Sequence, residues 1–337
     1  SMYLEIIFLI FVTYFTYQLL IKFAEKFNLV DRPNSRSSHT YPIVRGFGIV
    51  MFVSIGLTLI VFNLSLFIQN LNLLSAVLLV GILGLVDDSM DVSPVTKILT
   101  LIVVCAFLFV EGFLITNLGV FLGINLELNL LISIIFSTVV IVIFTNAFNL
   151  IDGLDGLSGL VSIIIFVSFF VIGVSNNDKL LVIIPALFVA SLCVFLFYNW
   201  HPAKVFLGDS GSLMIGFVIS ILGIKSLGYI EPISILYIAS VPIIDSLFVI
   251  LQRILSRSPI FRADKNHCHH ILLSYFDGRV NKTVVCIALF QLITSTIGLM
   301  FISKVNDSFV SLMLFLLLFF IVFKILNKLK NQRGDNN

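Results

Sequence analysis

The chain has 337 residues, of which 59% are hydrophobic and 11% charged, and its mean hydropathy is +1.14. Soluble domains carry about 25% charged residues, so the composition excludes an ordinary soluble globular protein. The formal net charge is +2, and no nucleic-acid partner is expected.

Apolar residues run along the whole chain in segments of roughly 20, the length a helix needs to cross about 30 Å of hydrocarbon with its backbone polar groups paired internally. The expected fold class is an all-α polytopic membrane protein, a single domain over residues 1–337. Ser1 precedes Met2 and reads as a tag remnant. Tyr3 to Leu20 is too long for a secretory signal and lacks its small-residue cleavage site, so it reads as the first span. About 11 transmembrane helices are expected, near 3–21, 46–68, 71–86, 96–110, 129–148, 157–174, 180–197, 212–227, 232–252, 283–303 and 308–327. Between Glu111 and Glu127 the apolar run is broken by Asn117, Gly119, Gly123 and Asn125, which predicts a short hairpin or amphipathic connection.

An odd number of spans puts the termini on opposite sides. Of the 20 Lys and Arg residues, all but Lys179, Lys225 and Lys304 fall on the side of the C-terminus. The positive-inside bias makes that side cytoplasmic and the N-terminus periplasmic, with 328–337 a cytoplasmic tail touching anionic lipid. The same face collects Asp87, Asp88, Asp91, Asp152, Asp155, Asp209, Asp264 and Asp277, which a bundle could bring together. Cys105, Cys193, Cys268 and Cys286 are scattered and suit packing better than a disulfide framework.

The polar stretches on this face carry the chemistry. DRPNSRSSHTYPIVRGFG (31–48) sets Arg32, Arg36 and Arg45 among Ser37, Ser38 and His39 on an irregular backbone, suited to phosphate oxygens or to fixing topology. In GLVDDSMDVSP (84–94), Asp91 shares a face with Asp87 if the helix continues one turn. Three carboxylates so close need a cation or bound protons unless they form a solvated turn, and oxygen ligands without His or Cys favour Mg²⁺ or Mn²⁺ over zinc.

In NAFNLIDGLDGLSG (146–159), Asn146, Asn149, Asp152 and Asp155 recur every three residues, a spacing that drifts around a regular helix. Gly153, Gly156 and Gly159 predict an opened backbone lining a wet cavity. NWHPAKVFLGDSGSL (199–213) adds Asn199, His201, Lys204 and Asp209, with Asp209 and Ser210 ahead of a span whose first amides could face an anion or a metal-bound phosphate. His201 reads as structural. In RSPIFRADKNHCHHILL (257–273), adjacent imidazoles converge poorly on one zinc ion, and the cluster beside Arg257, Arg262 and Lys265 suits a multiply charged phosphate better. Asp245, inside an apolar span, is a candidate functional residue by its position.

GLVDDSMD, NAFNLIDGLDGLSG, HPAKVFLGDSGSL and RADKNHCHH, in this order over roughly residues 25–275, resemble the polyprenyl-phosphate N-acetylhexosamine-1-phosphate transferases. This group includes initiators of O-antigen, enterobacterial common antigen and teichoic-acid linkage synthesis, and the phospho-MurNAc-pentapeptide translocase. PNSRSSHTYPIVRG is most similar to the O-antigen-initiating branch. The last motif usually reads His-Ile-His-His; Cys268 departs from it, and the motif argues against the translocase. The resemblance implies transfer of a sugar-1-phosphate from a UDP-N-acetylhexosamine to undecaprenyl phosphate with release of UMP, in the bacterial inner (plasma) membrane. It names Asp209 as principal Mg²⁺ ligand, with Asp88 and Asn149 beside it and Mn²⁺ as a substitute, and gives Asp87 or Asp88 to the metal or the lipid phosphate. It places Asn149, Leu154, Asp155 and Phe206 near the uridine, Asp152 at the same site, and His267, His269 and His270 near phosphate or sugar. Arg36, Ser38, His39, Arg45, Asn146, Asn199, Lys204 and Arg262 complete the expected substrate contacts, and a homodimer is compatible with the resemblance. The donor sugar is GlcNAc by default, with QuiNAc, FucNAc or a bacillosamine-type sugar as alternatives. The rival reading is a transporter or a flippase of lipid-linked sugars, which would place its ionisable groups near the midplane.

Overall fold

The computed structural model describes residues 2–33, 40–257, 267–300 and 308–334. Fourteen helices and four short strands are present among them: α1 (Met2–Phe23), β1 (Val30–Asp31), β2 (Ile43–Val44), α2 (Phe47–Phe62), α3 (Leu64–Gln69), α4 (Leu71–Met90), α5 (Pro94–Val110), β3 (Asn117–Phe121), β4 (Ile124–Glu127), α6 (Leu130–Leu150), α7 (Leu157–Asn176), α8 (Lys179–Asn199), α9 (Gly208–Ser226), α10 (Pro232–Ile238), α11 (Ser240–Leu255), α12 (Cys268–Tyr275), α13 (Val280–Met300) and α14 (Ser308–Gly334). The protein is an all-α polytopic membrane protein. Among the described residues, 8 helices are long and apolar enough to cross a membrane, or 9 if α10 and α11 form one span. The other two expected spans are shorter. Asn63 divides 46–68 into α2 and α3, and α2 and α5 have 16 and 17 residues, roughly 25 Å of helix against about 30 Å of hydrocarbon. The expected hairpin is β3 paired antiparallel with β4, with Leu122 and Gly123 turning at positive φ.

The hub is α9, almost wholly buried and packed by α2, α4, α6 and α7. Lipid is as apolar as a leucine side chain, so helices in a bilayer associate through close packing, and small residues permit it. An added Cβ at Gly84 of α4 would stand 2.4 Å from the Ser210 backbone, and one at Gly48 of α2 would stand 2.2 Å from Gly211 N. Both helices therefore lie directly on the first turn of α9. Below that turn, the segment 200–207 is stitched to β2 and α2: Phe206 N donates to Val44 O, and Phe47 N and Gly48 N donate to Phe206 O and Leu207 O.

The apolar pair α10 and α11 is bent by 87° at Ala239. Pro242, in the first turn of α11, has no N–H for the carbonyl of Ile238 and crowds it, so the helix breaks there. A stripe on α13 satisfies the freed groups. Gln291 Nε2 and Ser295 Oγ donate to Ile238 O at 2.7 and 3.1 Å, and Val241 N donates to Gln291 Oε1 at 3.0 Å. Broken backbone at membrane depth persists where protein partners take over its hydrogen bonds.

Candidate active site

The end of α4 divides two adjacent aspartates between different partners. Asp88 follows Gly84 by one turn and faces α9, where Oδ1 accepts the Asp209 amide at 2.8 Å and Oδ2 the Ser210 amide at 3.1 Å. Leu207, at the N-cap of α9, makes no side-chain cap, so Asp88 supplies from another helix the acceptor those amides lack. Gly208 leaves room for it at φ +74, since a Cβ there would lie 2.5 Å from Asp88 Oδ2. Asp87 accepts Val92 N through Oδ1 at 2.6 Å, and its Oδ2 pairs with Lys97. The same Lys97 Nζ reaches Asp209 Oδ2 at 3.0 Å. Ser93, accepting Thr96 N, and Pro94 in the first turn start α5 so that Lys97 lies at its beginning, beside the end of α4. Asn149, near the end of α6, donates to Asp209 Oδ1 at 2.9 Å and Ser212 Oγ at 2.7 Å.

Asp91 does not join this centre. The helix ends at Met90, and Asp91 takes φ 52 as its C-cap and is exposed, because the chain must turn before Ser93 and Pro94 begin α5.

Beyond Leu150 the backbone opens into the turn 151–156, as the glycine spacing predicted. Asp152 accepts the Ser158 hydroxyl. Burial pushes the Asp152 carboxyl up to about 7; the Ser158 bond opposes the rise, and the nearby carboxylates of Asp209, Asp88 and Asp155 add to it. Asp155 Oδ2 meets His201 Nδ1 at 2.7 Å and accepts Ala203 N at 3.1 Å, so it fastens the 200–207 segment. Asn199 is 4% exposed and accepts Gly156 N while donating to Val205 O, so both ends of its carboxamide serve the fold. Asn146 donates to Val142 O of its own helix. Leu154 is half-buried against the main core, Phe206 is half-buried, and Lys204 is exposed. Arg45 is half-buried, and its Nε is enclosed without a hydrogen-bond partner among the described residues. Arg36, Ser38, His39 and Arg262 lie outside the described residues.

The histidines reach the same region. His269 is 3% exposed, and a Cβ on Gly153 would meet its Nε2 at 2.5 Å, so the His cluster leans on the turn that carries Asp152. Burial holds the His269 imidazole down to about 4, leaving it neutral at pH 7. His267 stacks on it with ring centroids 5.6 Å apart, and His270 is 4.3 Å from it. Cys268 is a thiol that burial keeps protonated, its value pushed well up.

No three described His, Cys, Asp or Glu residues form a ready-made metal cluster. Asp87 and Asp209 nevertheless share one cation, the Lys97 ammonium, and this oxygen-only pair suits a divalent ion that keeps waters and completes its shell with substrate phosphate. The residues present fit Mg²⁺, with Asp88 spent on its two amides. The expectations from sequence missed Lys97, counted there only toward topology. A lysine three residues inside an apolar helix start was the available signal.

Helices packed around a buried hub, with carboxylates, a lysine and imidazoles gathered at one end of the bundle, define a polytopic membrane protein with a polar centre built for a charged ligand. The family model for glycosyl transferase family 4 matches residues 70–227, which hold Asp87, Asp88, Lys97, Asn149, Asp152 and Asp209. The chain is 31% identical over 259 residues to a probable undecaprenyl-phosphate N-acetylglucosaminyl 1-phosphate transferase of Bacillus subtilis (strain 168), covering 75% of this chain and 72% of the relative. It is 31% identical over 308 residues to the undecaprenyl-phosphate alpha-N-acetylglucosaminyl 1-phosphate transferase of Escherichia coli (strain K12), covering 88% and 83%. A phospho-N-acetylmuramoyl-pentapeptide-transferase of Halalkalibacterium halodurans is 29% identical over 281 residues, covering 78% and 85%. The chain belongs to glycosyl transferase family 4, on the side of the polyprenyl-phosphate sugar-1-phosphate transferases.

Proposed function

We propose that this protein transfers N-acetylhexosamine-1-phosphate from a UDP-sugar to undecaprenyl phosphate, releasing UMP, at the cytoplasmic face of a bacterial plasma membrane. The observation that carries the reading is the convergence of Asp87 and Asp209, far apart in sequence, on a single cation position. The names of the relatives support GlcNAc as the sugar and undecaprenyl phosphate as the acceptor. The lipid-linked diphosphosugar would initiate a cell-envelope glycan such as O-antigen.

The reaction joins two anions, so charge is the main obstacle. Mg²⁺, held by Asp209 and Asp87 with Asn149 beside them, would offset charge on the diphosphate. Lys97 contributes a fixed ammonium at the same point. Asp88 fixes where Asp209 stands by holding its amide. The acceptor is a phosphate monoester with a second pKa of about 6, so it is largely dianionic at neutral pH and needs no strong base. Its oxygen attacks the β-phosphorus in line, the bond to the UMP oxygen breaks, and the electron pair leaves with UMP. No enzyme nucleophile intervenes.

The test is UMP release by the full chain in detergent from UDP-GlcNAc, UDP-QuiNAc and UDP-FucNAc, with and without undecaprenyl phosphate and Mg²⁺. Release should require both, and Asp209→Asn should abolish it while the protein still unfolds cooperatively. Full activity in that variant would overturn the metal assignment, and UMP release without lipid would overturn direct transfer.

A further inference from the structure

Asp245 lies in α11 within an apolar segment and is 2% exposed, away from the carboxylates that share Lys97. An ionisable group at such depth is costly unless paired. Both of its oxygens are engaged at the start of α12: Oδ2 meets His267 Nδ1 at 2.6 Å, and Oδ1 accepts the Cys268 amide at 2.6 Å. A carboxylate only accepts, so the proton at this contact belongs to His267 Nδ1. The imidazole then has Nε2 alone left for a ligand. The amide bond to Cys268 pins the first turn of α12, so the ring has little freedom to swing. From His267 the contacts continue through His269 to Gly153 in the turn that carries Asp152.

We propose that Asp245 is a positioning residue for the transfer reaction: it holds His267 through Nδ1–H and fixes the ring, so that a protonated Nε2 is presented to a phosphate oxygen of the nucleoside diphosphate donor. The inference rests on the transferase reading above. A carboxylate behind an imidazole fixes the ring, and Nε2 donates to the anion when it carries its own proton. Cys268 meets Asp245 through its backbone amide and also through its thiol, so it shares in the same contact. The clamp of Gln291 and Ser295 on the bend at Ala239 serves the same end, because it fixes the course of α11 and hence the place of Asp245.

A purely structural ion pair between α11 and α12 is the competing account, and a double-mutant cycle separates the two. UMP release is measured for Asp245→Asn, Asp245→Glu, His267→Gln and the Asn/Gln double variant of the full chain. Asp245→Asn is expected to lower kcat about 10- to 100-fold, with KM for the UDP-sugar changed less than about threefold, and Asp245→Glu to recover part of the loss. In the His267→Gln background, Asp245→Asn should cost less than about twofold more. An equal loss in both backgrounds, or a rise in KM alone, would overturn the proposal. Should the variants fold poorly, ¹⁵N-histidine NMR of the unaltered protein decides. A protonated His267 Nδ1 is expected, and an unprotonated one overturns the idea. Failure of the transferase reading looks different: the unaltered chain would release no UMP from any UDP-sugar.

Discussion

Replacing Lys97 with methionine keeps an unbranched apolar side chain, shorter by the terminal nitrogen, and removes the charge between Asp87 and Asp209. At about 4 Å and an effective dielectric of about 20, each ion pair is worth about 4 kcal/mol before solvation costs. Lys97 is 17% exposed and Asp87 6%, so solvent recovers little of the loss on that side, whereas Asp209 at 35% is partly relieved by water. Breaking buried pairs costs about 3–5 kcal/mol, and this half-open arrangement should lose about 2–4 kcal/mol. Two facing carboxylates without their lysine bind a divalent cation more tightly, so Mg²⁺ should raise the Tm of Lys97→Met more than that of the unaltered protein. Turnover should fall about 100- to 1000-fold, the usual cost of removing one preorganised charge stabiliser. Thermal unfolding in detergent across a Mg²⁺ series, with UMP release in parallel, measures both. Equal Mg²⁺ shifts in the two proteins, or activity within about threefold of the original, would refute the idea that lysine and metal act on the same pair of carboxylates.

Asp88→Asn should behave as a stability variant first, because one carboxamide oxygen cannot serve both amides of α9. A loss of about 1–3 kcal/mol is expected, read as a lower Tm with or without Mg²⁺. For His269, burial lowers the folded-state value to about 4 from an ordinary value of about 6.5. The stability conferred by its neutral ring is complete above pH 6.5 and is lost as pH falls toward 4, up to about 3 kcal/mol. The Tm should drop over that window, and His269→Gln should flatten the drop.

Much of the architecture was legible because periodicity and punctuation are local. The Gly and Asn residues of 117–125 announced a hairpin, and the glycines of 153–159 an opened helix end. The bend at Ala239 was not legible, although Pro242 caused it, because a proline in the first turn of a helix is ordinary until a partner such as Gln291 takes the orphaned carbonyl. At the site, the family resemblance put Asp88 and Asn149 beside Asp209, but nothing in the sequence showed Asp87 and Asp209 sharing Lys97. Nor did it show that Asn199 and Asp155 are occupied within the fold. Those outcomes depend on how α4 and α5 are rotated against α9, and that rotation is set by close contacts at Gly48 and Gly84 between segments more than 100 residues apart.

Read as text, the Asp87-Asp88 doublet suggests redundancy, one carboxylate insuring the other. One helical step of about 100° makes it a division of labour instead. Asp88 is committed to two amides of α9, and Asp87 to the Val92 amide and the Lys97 ammonium, so neither can stand in for the other. Lengthening Asp88 to glutamate would push Asp209 out of place, while the same change at Asp87 would disturb the Val92 amide bond and the Lys97 pair at the end of its own helix. Selection should therefore act on the two positions separately, with geometry governing one and charge the other.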